Sequence, residues 1–455
     1  MQQSNIRTIS DAKQFIHEKA LPHSKVAVTD IDGILRGKYI SQEKLVGSFE
    51  TGFGFCDVIL GWDMNDSLYD NANYTGWHTG FPDAKVKPIP DTCREIPWEN
   101  GILFFLAEFV GSAQDICPRN VLKRVISKAD SMGFLVKAAA EYEFFLFNET
   151  PETARGKNFQ NLTPYTPGNF GYSLIRNSVN SDFHNDLLTM CEEMHFPVEG
   201  YHTETGPGVM EAAIRVDNIL AAADKAILFK TFTKIFAQKH DLMATFMAKW
   251  SMEHPGQSGH LHLSLTDKRG KPAFNDSNKK DSMSDTMRWF IGGQQNLLSE
   301  FTALVAPTIN SYTRLVPGLW APTNNSWGID NRTCAIRAIL GSPESQRVEY
   351  RLGSADSNPY LSMAAALAAG LWGIQNKITP SPPVKGNSYN RQTKNTINLP
   401  KTLQEATKLL EKSAPARFYF GDQFVDHYVA TREWETQEYQ RQVTDWQLKR
   451  YFEII

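Results

Sequence analysis

The chain has 455 residues, enough for two or three domains and for a core that needs no disulfide or metal staples. Its 47 Lys+Arg against 50 Asp+Glu leave a formal charge of −3. That balance excludes an electrostatic nucleic-acid binder and an acidic disordered chain, and 41% hydrophobic with 21% charged residues fits a globular protein. Cys56, Cys93, Cys117, Cys191 and Cys334 include no C-x-x-C pair, so neither a disulfide framework nor a zinc ribbon is expected. Scattered thiols in a reducing cytoplasm are the simpler reading. The opening MQQSNIRTISDAKQFIHEKA lacks the apolar core of a signal peptide. The longest apolar stretch, Leu361–Ile374, is too short for a membrane span and reads as a buried helix. The expectation is a soluble, cytoplasmic protein without nucleic-acid or membrane partners.

Along the chain, residues 10–20 have the pattern of a short amphipathic helix. Lys25–Asp30 and Ile34–Ile40, joined at Asp32-Gly33, give a hairpin signal. Residues 41–105 are rich in Gly, Asn, Asp and Pro, with short apolar runs such as Ile102–Leu106, and read as a small β-rich unit with long loops. Pro118 opens a helix over Asn120–Met132, Gly133 stops it, and Phe134–Phe147 follows as a strand. A domain boundary is placed near residue 110. Helical periodicity continues at Asp182–Met194, Asn218–His240 and Ser282–Leu304. His260–Thr266, Cys334–Ile339 and Gln346–Leu352 read as strands, 151–169 and 376–400 as loops, and Leu403–Ile455 as amphipathic helix.

Chemistry concentrates in a few segments. Glu141 and Glu143 share one face of an otherwise apolar strand, KAAAEYEFFLF. Like charges there are costly unless a cation compensates them, so a carboxylate metal site competes with a solvated edge. His260 and His262 lie on one strand face in HPGQSGHLHLSLT. Alone they could be hydrogen-bonded core histidines. Zinc would want a third nitrogen or sulfur ligand, whereas one imidazole among carboxylates suits Mg²⁺ or Mn²⁺. Glu204 and Glu211 flank a Gly-Pro-Gly turn and persuade little by themselves. Arg314, Arg332, Arg337, Arg347 and Arg351 cluster in sequence, and Arg347, Glu349 and Arg351 share a strand face. An exposed ion ladder would be worth little. Facing carboxylates and metals, the guanidinium forks read as a grip for nucleotide phosphates. No Walker motif and no helix-opening G-x-G-x-x-G occurs, so an ATP site is neither P-loop nor Rossmann.

In order, the chain carries E-x-E (Glu141–Glu143), E-x₆-E (Glu204–Glu211), G-x-x-x-H-x-H (Gly256–His262) and N-S-Y-x-R-L-V-P-G (Asn310–Gly318). N-R-x-x-x-I-R (Asn331–Arg337), R-x-E-x-R (Arg347–Arg351) and N-P-Y-L (Asn358–Leu361) follow. With D-G-x-x-R-G-K at Asp32–Lys38 and the C-terminal T-D-W-x-x-x-R-Y-F-E, this resembles the glutamine synthetase superfamily over essentially the whole chain. Within it the pattern is similar to the glutamate–amine ligase and γ-glutamylpolyamine synthetase-like branch.

The resemblance implies an α+β fold: a β-grasp domain at 1–110 and a catalytic domain at 111–455 with a curved antiparallel sheet and flanking helices. It implies a homo-oligomeric ring, commonly a dodecamer, with sites between neighbouring subunits. Carried over, Glu143, Glu204 and Glu211 match ligands of the metal near the acceptor carboxylate. Glu141, His260 and Glu349 match ligands of the metal on the ATP phosphates. Arg332 and Arg337 match the grip on the transferring phosphoryl group, Arg337 also touching nucleotide. Arg314 and Arg351 match the glutamate-carboxylate site, with Gly256 in the loop beside it. Ser264 and Arg347 match nucleotide-side positions. The implied cofactors are ATP and Mg²⁺ or Mn²⁺, and the implied chemistry is activation of glutamate as γ-glutamyl phosphate, then attack by an amine.

Four departures matter. Ammonia-using members carry a flap glutamate in P-G-[YF]-E-A-P, and here Pro317–Pro322 has Trp320 at that position. Pro255 replaces the asparagine of N-G-S-G-x-H. F-D-G-S-S is absent, with Phe55-Cys56-Asp57 in that region and Asp57 or Asp63 as alternative acids. The tyrosine-bearing adenylylation loop is not recognisable in 376–400. Loss of the flap acid points to an amine larger than ammonia, with Trp320 as an apolar or cation–π wall. Ordinary glutamine synthetase and a non-catalytic ring-forming homologue are the alternatives. A guanidino kinase fits less well with the full metal set.

Overall fold

The computed structural model describes residues 6–390 and 396–455. The helix Ile9–Lys19 starts on a capping box, in which the Thr8 hydroxyl accepts the Asp11 N–H and the Asp11 carboxylate accepts the Thr8 N–H. The predicted hairpin follows as β1 (His23–Thr29) and β2 (Leu35–Ser41), paired antiparallel. β3 (Phe53–Cys56), β4 (Asp83–Pro88), β5 (Arg94–Ile96) and β6 (Ile102–Phe109) complete the first sheet. Its order is β2-β1-β6-β4-β3, with β5 on β6 and β1 parallel to β6, a β-grasp pattern.

The second sheet runs from β7 (Phe134–Phe147) through β8 (Val198–Thr203), β9 (Val209–Ile214), β10 (Asp217–Asn218), β11 (Met243–Thr245) and β12 (Gly259–Asp267) to β13 (Trp327–Ile329), β14 (Ile336–Ile339) and β15 (Arg347–Tyr350). Its order is β13-β14-β15-β12-β7-β9-β8, and only β13 and β14 run parallel. Alternation along β7 buries Val136, Ala138, Ala140, Tyr142 and Phe144, and leaves Glu141 and Glu143 on the opposite, partly open face. Helices cover the apolar face. The expected buried helix is Pro359–Gln375, sheathed by Pro118–Ser131, Ile219–Lys239 and Asp285–Leu297. Gly293 and Gly373 allow the closest crossing, since a Cβ on Gly293 would lie 2.1 Å from the Ala369 carbonyl oxygen.

The hairpin turn is bolted to this helical layer. Gly33 takes φ +83°, and a Cβ there would lie 3.0 Å from the Asn358 Cα. Asn358 accepts the Tyr360 N–H to start its helix and donates to the carbonyls of Asp30 and Ile31. Arg432, in the helix Asp422–Gln440, is 1% exposed and pairs with Asp32 at 2.6 Å.

Several expectations need correction. A helix, Gln42–Thr51, lies in the region read as strands and loops. Its signals were present: Ser41 accepts the Lys44 N–H, and Leu45 and Phe49 are buried one turn apart. Pro151–Gly156 is helical within the 151–169 loop, because Thr150 and Thr153 form a capping box. Ser282–Leu304 is not one helix. Asp281 and Ser282 are left-handed, Ser284 caps Asp285–Leu297, and Thr302–Val305 is separate. Leu403–Ile455 breaks into Leu403–Glu411, Ala414–Phe420, Asp422–Gln440 and Asp445–Tyr451. Residues 1–5 of the signal-peptide reading and 391–395 of the 376–400 loop, where the adenylylation tyrosine was sought, lie outside the described residues. No helix among the described residues is long and apolar enough to cross a membrane.

Candidate active site

Cross-strand register gathers the charged residues on the open face of the second sheet. His202 on β8 pairs with Glu211 on β9, and Glu211 pairs with Glu143 on β7. Glu141 pairs with His260 on β12, His262 with Glu349 on β15, and Glu349 with Arg337 on β14. Paired residues share a face, so the row is continuous across six strands.

At one end, Glu349 is 1% exposed and receives Arg337 at 2.8 Å and Arg351 at 2.5 Å. Burial alone would raise its carboxyl, but the His260 ring and the Arg351 guanidinium beside it outweigh burial and hold it down at about 2. His260 Nδ1 stands 3.1 Å from Glu141 and 3.5 Å from Glu349. Burial and the Arg351 charge lower its pKa, so the ring is neutral and its lone pair is available to a cation. Burial also opposes ionisation of Glu141, yet hydrogen bonds from His260 and His262 keep it well below the usual range. His262 is engaged on both nitrogens, with Arg347 Nε 3.2 Å from Nδ1 and Glu141 3.5 Å from Nε2. Glu141, His262 and Glu349 nevertheless present ligand atoms within 4.8 Å of one another, as do His202, Glu204 and Glu211.

At the other end, Glu143 accepts the Ser258 N–H at 2.7 Å. Glu211 is pushed up to about 7 by burial and by the charges of Glu141 and Glu143. His202, 3.1 Å from Glu211, rises to about 9, because that hydrogen bond outweighs burial. Near neutrality the pair therefore holds a proton. A cation bound there must displace it, so Mn²⁺ affinity is expected to fall by about tenfold per pH unit as the pH drops below about 9, and more steeply below about 7, where Glu211 also protonates. Mn²⁺ titrations near pH 6 and near pH 8 check this, and equal affinities would contradict it.

The remaining candidates flank the row. Arg314 is 2% exposed and donates to the carbonyls of Leu352 and Arg351. Gly256 admits it, since a Cβ there would lie 2.8 Å from Arg314 Cγ. Ser264 follows His262 on the same face of β12. Arg332 is exposed, and its charge acts on the Tyr172 phenol together with those of Glu204 and Glu211. It borders a cavity of about 740 Å³ with Asp330, Asn331, Thr333, Val384 and Lys385. Trp320 is 56% exposed with φ +62°, and no ring contact or hydrogen bond engages it among the described residues. Asp57 accepts the Thr75 hydroxyl, and Asp63 closes a turn by accepting the Asn65 and Ser67 N–H groups.

Two residues escaped the sequence reading. Tyr172 stacks on His202 with centroids 4.2 Å apart and is itself 68% exposed. Only the alternation of β8 marks His202, and nothing local marks Tyr172.

Carboxylates and a neutral imidazole facing guanidiniums define a class, a protein suited to hold hard divalent cations against an anionic ligand. Residues 115–451 match the family model described as glutamine synthetase, catalytic domain. "Type-1 glutamine synthetase 2" of Dictyostelium discoideum is 48% identical over 440 residues, covering 95% of this chain and 84% of that protein. "Glutamate--isopropylamine ligase" of a Pseudomonas species is 35% identical over 459 residues and covers 100% of both chains. The solved structure "GmaS/ADP complex-Conformation 1" superposes with a TM-score of 0.84 at 25% identity, covering 97% of this chain and 99% of that one. The chain belongs to the glutamine synthetase family.

Proposed function

We propose that this chain is an ATP-dependent ligase that joins the γ-carboxylate of glutamate to an amine larger than ammonia. The observation that carries it is Trp320 at the flap position. A bulky residue with φ +62° carries local strain, typically about 1–3 kcal/mol. Its exposure argues against a packing role and for contact with a ligand. The relative named for isopropylamine ligation supports the same reading over the full length of both chains.

Glu143, Glu204 and Glu211 would hold one Mg²⁺ or Mn²⁺, and Glu141, His260 and Glu349 the other. His260 is preferred over His262 because its buried Nε2 has no hydrogen-bond partner among the described residues, whereas both nitrogens of His262 are engaged. Bound there, the cations would neutralise phosphate charge. Arg332 and Arg337 grip the transferring phosphoryl group, with Arg347 and Ser264 toward the nucleotide. Arg314 and Arg351 orient glutamate while its γ-carboxylate attacks the γ-phosphorus of ATP and releases ADP. The amine then attacks the acyl phosphate, forming the amide and releasing phosphate. Tyr172, stacked on His202 beside Glu204 and Glu211, offers an aromatic face to an ammonium group.

The division at residue 110 belongs to the same reading, supported by the last strand of the first sheet ending at Phe109. So does a cytoplasmic homo-oligomeric ring, a dodecamer, which light scattering would test. ADP release with glutamate, ATP and Mg²⁺ or Mn²⁺ over a panel of amines tests the activity. Preference for ammonia over every amine would sink the proposal. Ammonia ligation is the second reading, favoured by the 48% identical relative named as a glutamine synthetase. Trp320→Glu is expected to raise ammonia-dependent turnover by about tenfold or more and to weaken the preferred amine, read as kcat/KM for each nucleophile.

A further inference from the structure

The site holds buried donors without acceptors. Arg351 spends Nη1 on Glu349, while its Nε is buried and finds no hydrogen-bond partner among the described residues. The Ser258 hydroxyl and the Tyr389 hydroxyl are in the same condition. Buried polar atoms are nearly always satisfied, so such a group calls for an explanation such as a ligand.

Tyr389 is not a stray loop residue. Asn331 donates to the carbonyls of Val384 and Gly386 at 3.1 and 2.8 Å. The Ser388 N–H donates to the Thr333 hydroxyl at 3.0 Å, and the Ser388 hydroxyl to the Thr333 carbonyl. These bonds pin the segment before Tyr389 onto the turn that carries Arg332. Burial raises the phenol, while the guanidinium charges of Arg351 and Arg314 pull it back down. The geometry agrees: the Arg351 N–H donates to the Ala335 carbonyl at 2.9 Å, two residues beyond the Thr333 that holds Ser388, and Arg314 donates to the Arg351 carbonyl at 3.3 Å. An O–H beside two guanidiniums, with no acceptor of its own, suits a carboxylate, and the two positive charges disfavour an ammonium.

We propose that the Tyr389 hydroxyl donates to a carboxylate of the acidic substrate, as a binding residue alongside Arg314 and Arg351. This rests on the ligase reading, and it assigns Tyr389 to the acid rather than to the nucleotide or the amine. Tyr389→Phe keeps the ring and removes only the donor. Initial rates of the full-length enzyme with the preferred amine should show KM for glutamate raised about tenfold, the typical loss of a hydrogen bond to a charged group. KM for ATP and for the amine, and the melting temperature, should stay within about twofold and a degree or two of wild type. Equilibrium binding of glutamate in the presence of ADP and Mg²⁺ should weaken by the same factor. If wild type turns over and the variant keeps its glutamate KM, the assignment to Tyr389 is overturned and the ligase reading stands. An equal rise in KM for ATP also overturns it, since the segment would then serve the nucleotide. A wild-type enzyme that releases no ADP with glutamate and any amine overturns the ligase reading, and this assignment with it.

Discussion

Glu349→Gln is expected to reduce kcat/KM by about a thousandfold, the scale seen when a preorganised charge is removed from an active site. Glutamine fills the same volume, so the change is one of charge. At about 2, the Glu349 carboxyl is fully ionised at neutral pH and stands as the shared anion for Arg337, Arg351 and His260. Without it two guanidiniums lose their common partner, and the second proposed cation loses a ligand. Both effects act on the same phosphate region. ADP release and Mn²⁺ binding measured on the same variant would separate them. Near-wild-type activity would remove Glu349 from the machinery.

Asp32→Ala is expected to destabilise the fold by about 3 kcal/mol, the lower end of the cost of breaking a buried ion pair, because Glu435 remains 3.4 Å from Arg432. Arg432 sits 1% exposed, bonded to Asp32 at 2.6 Å and to the Pro307 carbonyl at 2.9 Å. Tyr69 also reaches Asp32, at 3.5 Å. The pair joins the first hairpin to the helix Asp422–Gln440, so the loss falls on the junction between the first sheet and the helical layer. Chemical denaturation of Asp32→Ala and of the double variant with Arg432→Met tests this, and the double variant should recover part of the loss. A single variant within about 0.5 kcal/mol of wild type would contradict it.

Much of the site was legible because its residues break local rules. Glu141 and Glu143 interrupt an apolar strand, and the structure places both on the open face, as period two requires. Arg347, Glu349 and Arg351 were legible for the same reason. His202 was not, because its significance comes from standing opposite Glu211 on another strand, a register that local sequence does not write down. Tyr172 and Tyr389 lie in Gly-, Asn- and Ser-rich segments, where a tyrosine carries no pattern. The fold shows the same split. Phe134–Phe147 and Pro359–Gln375 follow from patterning, while Gln42–Thr51 and Pro151–Gly156 hang on caps inside stretches whose composition suggests loops.

The row of charges runs from Glu141 to Glu349 in sequence, yet occupies adjacent strands of one sheet. No short piece of the chain holds a complete set of these groups. Pairings so far apart in sequence form slowly, because loop closure must precede them. A nascent or partly unfolded chain therefore has its carboxylates and guanidiniums scattered, with nothing to concentrate cations or ATP. In the proposed ligase, capture of a divalent ion would report that the sheet has closed, and misfolded copies would stay chemically silent instead of leaking a reactive acyl phosphate to water.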